Sequence, residues 1–147
     1  MSEHHPNFQD AELVLRLYDL RREPVMRQSR DALNGKYWPR SFDDVAAVMS
    51  DMQHPLNPAW RQVTSYWEMV YSFAHHGIID ANFLIDANGG EGLFFFSKVV
   101  PFLADIRKHG SPTAFQHSEW ISTHCENGKQ RMALLRSRVE QILASMK

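Results

Sequence analysis

One stretch limits what this chain can fold into more than any other: Ser65-Tyr66-Trp67-Glu68-Met69-Val70-Tyr71-Ser72-Phe73-Ala74-His75-His76-Gly77-Ile78-Ile79-Asp80. Stepping back from Trp67 at helical spacing gives Trp60, Val63 and Thr64, and stepping forward gives Val70, Tyr71, Ala74 and Ile78. Large apolar groups at i, i+3, i+4 and i+7 define one face of an α-helix, and that face is expected to be buried. Arg61, Gln62, Ser65, Glu68, Ser72 and His75 fill the other side. Met69 and Phe73 interrupt its polarity, so the helix is expected to have neighbours on more than one side. Asn57-Pro58 reads as a cap followed by a first-turn proline, and Gly77 as the left-handed residue that ends the helix.

The remaining segments carry helical signals on both sides of this hub. Residues 1–9 read as a flexible start. Asp10 then caps a helix with Leu13, Leu17 and Leu20 on one stripe and Val14 and Tyr18 beside it. Glu23-Pro24 predicts a kink or a fresh helix from Pro24 to Leu33, stopped by Asn34-Gly35. Ser41 and Asp44 resemble a capping box ahead of Val45, Val48 and Met49. Asp80 caps a short turn through Asp86, and Asn88-Gly89-Gly90 ends it. Glu91 to His109 is predicted as a long helix kinked at Pro101, apolar nearly all round from Leu93 to Ile106, hence covered by neighbours or by another subunit. Ser111-Pro112 opens the next helix and Asn127-Gly128 ends it. The last helix, from about Lys129, has Met132, Leu135, Val139, Ile142 and Met146 on one stripe. No apolar/polar alternation bounded by hairpin turns occurs. The expectation is an all-α single compact domain of six to eight helices over residues 10–147.

The run Ser65-Tyr66-Trp67-Glu68-Met69-Val70, then His76-Gly77-Ile78-Ile79-Asp80, then Phe83, Asp86, Asn88 and Gly89, resembles an uncharacterised bacterial all-helical family, a domain of unknown function. Leu17-Tyr18-Asp19-Leu20-Arg21-Arg22-Glu23-Pro24 and Lys98-Val99-Val100-Pro101-Phe102-Leu103 also match its pattern, so the resemblance spans most of the chain. It implies an all-helical fold and a bacterial cytoplasmic setting, and it transfers no active site. Some relatives carry an N-terminal membrane segment. None is expected here, because the stretch Met1 to Asp10 is polar and the apolar run Gly92 to Phe96 is too short to span a bilayer.

Charge and cysteine usage exclude further classes. The net charge is −1, with no run of Lys or Arg, so no nucleic acid partner is expected. Residues 42–91 hold one Arg against seven carboxylates, whereas residues 92–147 hold eight Lys/Arg against four. That division implies complementary faces within or between molecules, or an electrostatic partner site. A single cysteine, Cys125, rules out an intrachain disulfide and a multi-Cys zinc site and fits a reducing compartment.

Three groups are candidates for chemistry. Glu68 and His75, seven residues apart on one face, with His76 and Asp80 nearby, pair carboxylate with imidazole for acid/base work or metal binding. Against a metal reading, no Glu-x-x-His occurs in the chain, and helix capping and dipole effects account for the same residues. His117 and His124, also seven apart, are candidate metal ligands beside Trp120 and Cys125. Cys125 reads as a buried thiol, since adjacent helical residues point about 100° apart. Asn88-Gly89-Gly90-Glu91-Gly92 reads as a structural turn rather than an anion cradle, because no Walker lysine follows and Glu91 already meets the helix start. Trp38, Trp60, Trp67 and Trp120 either line a pocket or fill a core.

The preferred expectation is a non-enzymatic helical module that self-associates as a homodimer or binds a protein partner, with no cofactor. The alternatives are a small metal-dependent or acid/base enzyme using Glu68 and nearby histidines, and a binder of a small apolar ligand between helices.

Overall fold

The computed structural model describes residues 5–146, so residues 1–4 of the expected flexible start, and Lys147, lie outside the described residues. The helices are α1 Phe8–Arg21, α2 Pro24–Lys36, α3 Phe42–Met49, α4 Asn57–His75, α5 Ala81–Leu84, α6 Gly90–Val99, α7 Leu103–His109, α8 Gln116–His124 and α9 Glu126–Ser145. A π-turn at Ile85–Gly89 joins α5 to α6, and a 3-10 turn at Val100–Phe102 joins α6 to α7. Counted as one bent helix, Ala81–His109 leaves seven helices and no strand among the described residues. No helix of the described chain is long and apolar enough to cross a membrane.

α4 is the hub. Trp60, Val63, Trp67, Val70, Tyr71 and Ala74 are buried along it, and it packs on α2, α3, α5 and α8. Its end follows the expected chemistry: Gly77 takes φ +75°, and the Ile78 N–H donates to Phe73 O at 2.8 Å, closing a Schellman turn. Ile78 then lies beyond the helix and is exposed, contrary to the expected stripe, while Ile79 turns into the core. The start of α4 also differs. Asn57 does not cap it; the buried amide donates to Val48 O at 2.7 Å and ties α4 to the end of α3.

Other boundaries shift for identifiable reasons. α1 is capped by Asn7, whose side chain accepts from Asp10 N, while Asp10 accepts from Asn7 N in return and also from Asp80 N at 3.2 Å. Leu20 and Tyr18 point outward; Val14 and Leu17 are the buried pair. α2 begins afresh at Pro24 and runs through Asn34-Gly35 to Lys36. Ser41 caps α3 through Asp44 N, but the Asp44 carboxylate accepts from Arg40 N instead of completing a box. Ser111-Pro112 precedes α8 without opening it; α8 starts after Phe115, which takes φ +60°. Asn127-Gly128 lies inside α9 rather than ending α8, because His124 and the extended Cys125 already make that break. Of the predicted α9 stripe, Met132, Leu135 and Val139 are buried, Ile142 is half-buried and Met146 is exposed.

The all-round apolar segment is covered within this chain. Leu93, Phe95, Phe96, Val99 and Ile106 are buried, with α9, α8 and α2 against α6 and α3 against α7. Gly92 permits a close approach to α4, since a Cβ there would collide with the Trp67 ring and the Tyr71 hydroxyl. Pro101 sits in the 3-10 turn that bends the run. Two polar clasps hold α6 to α2 and lie seven residues apart on α6, which is about two turns. At one, Glu91 takes a bidentate pair from Arg30, with Nη2 to Oε2 at 2.8 Å, and a longer contact from Arg21 at 3.4 Å. At the other, the buried Lys98 ammonium donates to Leu33 O, Asn34 O and Tyr37 O at 2.9–3.0 Å. Those carbonyls close the C-terminal end of α2, which explains why Asn34-Gly35 does not stop it. Lys98 also lies over the Trp38 ring at 3.8 Å.

Among the described residues, the ion pairs join Arg21 and Arg30 to Glu91, Arg107 to Glu119 and Arg136 to Glu140. Of the acidic middle, Glu91 is matched by the N-terminal helices, and of the basic tail, Arg107 and Arg136 find carboxylates within the tail itself.

Candidate functional site

The C-terminal half of α4 and the length of α8 lie against each other, and this packing gathers residues that the sequence separates by more than forty positions. Glu68 faces the start of α8, where its carboxylate accepts from His117 N at 3.1 Å, Ser118 N at 2.9 Å and Ser118 Oγ at 2.5 Å. A helix N-terminus exposes unpaired N–H groups and the positive end of the dipole, so Glu68 caps α8 from outside. Phe115 supplies no side-chain cap of its own. Its left-handed backbone is costly for a bulky residue, and it buries the ring against Trp60, Phe95 and Phe96.

Two turns along α4, His75 meets His117, with Nδ1 to Nδ1 at 2.9 Å. His76 lies 5.7 Å from His75 and 5.8 Å from His117 between ring centroids. Trp120 stacks flat on His75 at 4.7 Å, and His124 stacks on Trp120 at 5.8 Å. The rings form a column in the order His76, His75, Trp120, His124, with His117 edge-on to His75. Burial pulls the His75 imidazole below its ordinary value, and the neighbouring His117, His76 and His124 add to that; Glu68 opposes it.

Of the sequence candidates, Glu68, His75, His76, His117 and His124 therefore converge. Asp80 does not: it caps α5 by accepting from Phe83 N at 2.7 Å. Cys125 faces away from His124. Its buried thiol donates to Asn82 Oδ1 at 3.1 Å, burial pushes it above the ordinary thiol range, and His124 pairs with Thr123 Oγ1 instead. No group of three His, Cys, Asp or Glu side chains among the described residues is arranged to hold a metal ion. The tryptophans are dispersed: Trp67 in the core, Trp38 over Lys98, Trp120 in the histidine column and Trp60 at a groove wall.

That groove, about 330 Å³, runs beside the Glu68 carboxylate and is walled by Met49, Trp60, Ile106 and Phe115, with Thr64 and His117 at its polar edge. At the glycine-rich turn, the Glu91 carboxylate is engaged by Arg30 and Arg21. Burial opposes the Glu91 charge, but the Arg30 hydrogen bonds and the two guanidinium charges outweigh it and hold the carboxyl below its ordinary range. Sequence reasoning missed both α2–α6 clasps. The usable signal was a lone Lys98 inside an apolar run, which a helix buries only when the ammonium has acceptors.

The chain belongs to the family described as Domain of unknown function (DUF4760), whose model matches residues 7–125. Among curated proteins and among solved structures, none matches the chain.

Proposed function

We propose that this DUF4760 member is a non-enzymatic helical module that self-associates through the outer face of α1. The observation that carries this reading is a second apolar stripe on α1: Phe8, Ala11, Leu15 and Tyr18, spaced three, four and three residues apart. Leu17 on the far side and Val14 beside Tyr18 are buried in the domain, whereas Phe8 is 76% and Leu15 63% exposed. A 3-4-3 spacing is the seam of a helix pair, and such a seam matches a second copy of itself. Leu93 to Ile106 does not serve this role, because its own chain covers it.

Light scattering at two protein concentrations tests the proposal. The expected result is a dimer whose population falls on dilution and which Leu15→Glu converts to a folded monomer. A wild-type monomer at both concentrations overturns it.

The enzyme reading has less support, since Glu68 and Asp80 are engaged as helix caps. The groove beside Glu68 favours a second reading, a small apolar ligand held against Met49, Trp60 and Phe115. A bacterial, reducing cytoplasm is the setting we infer, supported by the family resemblance and by a lone unpaired cysteine.

A further inference from the structure

The His75–His117 contact has a geometry that decides between metal and proton. The nitrogens are 2.9 Å apart and the ring centroids 5.1 Å apart, close to the sum of the nitrogen separation and the two ring radii. Each Nδ1 therefore points head-on at the other. Two ligands of one metal ion must aim their lone pairs at a third point about 2.0–2.1 Å from each nitrogen, and these do not. A head-on pair of imidazole nitrogens accommodates one proton, with one ring donating N–H and the other accepting. A second proton between them would set two N–H groups against each other with no acceptor.

The surroundings work against that second proton. From α4 the facing groups are Glu68, His75 and His76; from α8 they are His117, Glu119 and His124. The Glu119 carboxylate is paired with Arg107 of α7 at 3.1 Å, and Glu68 is engaged by three donors of α8. Neither carboxylate is free to follow a new positive charge. His75 ends α4, where the dipole favours a cation, whereas His117 is the second residue of α8, where the dipole opposes one.

We propose that the His75–His117 pair is an acid-operated latch between α4 and α8: when both rings become imidazolium, so that each facing Nδ1 carries a proton, the first turn of α8 parts from the end of α4 and the groove that His117 lines widens. The direction follows from linkage. The first added proton settles on the outer nitrogen of the donating ring and leaves the shared bond intact; His75 is held below its ordinary value in the fold, so the parted chain takes up the further proton more readily as pH falls below about 6.5, and the junction weakens from there downward. Above that range the latch is closed. Opening also releases the Ser118 N–H from Glu68, which gives a local reporter.

The test is amide hydrogen exchange of the whole protein at pH 7 and pH 5, corrected for intrinsic rates, with Val70 as a core reference. In the wild type, Ser118 protection is expected to fall at pH 5 while Val70 protection holds. In His75→Asn and His117→Asn, whose amides keep a polar atom near the δ position without titrating, the Ser118 response to pH is expected to vanish. Unchanged Ser118 protection in the wild type, or an equal fall in both variants, overturns the latch. Ring-nitrogen NMR on the wild type needs no variant. Coupled titration of His75 and His117 in two separated steps supports the proposal, and independent titration of both rings at the ordinary value overturns it.

Discussion

The α2–α6 interface and the α4–α8 interface both bring polar groups into a helical core, and they treat them differently. Between α2 and α6, Lys98 gives its donors to three backbone carbonyls, and Glu91 is gripped by Arg30 and approached by Arg21. Between α4 and α8, four imidazoles and an indole stack at a half-exposed corner with a single nitrogen-to-nitrogen hydrogen bond joining the helices' rings. Multiple fixed partners make the first interface a structural clasp. Stacked rings at a half-exposed corner, joined across the helices by one nitrogen-to-nitrogen bond, make the second one adjustable.

Removing the clasp is expected to have the largest effect. Lys98→Met leaves three carbonyls at the end of α2 without donors, and an orphaned buried polar group costs about 1–3 kcal/mol, so a loss of about 3 kcal/mol or more should appear in urea unfolding. Burial pulls the Lys98 ammonium down to about 7. Glu91→Gln comes next, at about 2 kcal/mol, because the largely buried Arg30 loses its counter-charge. The Glu91 carboxyl is held below its ordinary value, so its contribution is present above about pH 4.5 and is lost as pH falls further. Acid denaturation of Glu91→Gln should accordingly be shallower than that of the wild type.

Glu68→Ala sharpens the comparison from the other side. It removes an external cap from α8, which should cost about 1–2 kcal/mol and lower exchange protection at His117 and Ser118 more than at Leu33. Smallest of all is His124→Ala, which removes the exposed end of the ring column and should change unfolding free energy by less than about 0.5 kcal/mol. If His124→Ala instead matched Lys98→Met, the two interfaces would not differ as described.

The helical signals were legible wherever one residue type sufficed. Trp60 to Ala74 read as a buried stripe, Gly77 as a left-handed stop and Pro101 as a bend, and each is found so. Two failures fall where a group elsewhere in the fold supplied the deciding bond. Asn34-Gly35 reads as a stop and does not act as one, because Lys98, more than sixty residues away, holds the carbonyls around it. Asn57 reads as a cap, yet its amide was claimed by Val48 O. Glu68 and His75 were visible as one face of one helix, but nothing in their spacing indicated that His117 would lie against them.

By itself, then, the sequence determined the all-helical class, the hub helix and most of the helix ends, because periodicity, proline and glycine act within a few residues. Tertiary structure decided what the polar groups do. Whether Glu68 is a ligand or a cap, and whether His75 and His117 share a metal or a proton, depends on where α8 docks on α4 and at what angle its rings arrive. Those are properties of packed surfaces, and no local pattern encodes them.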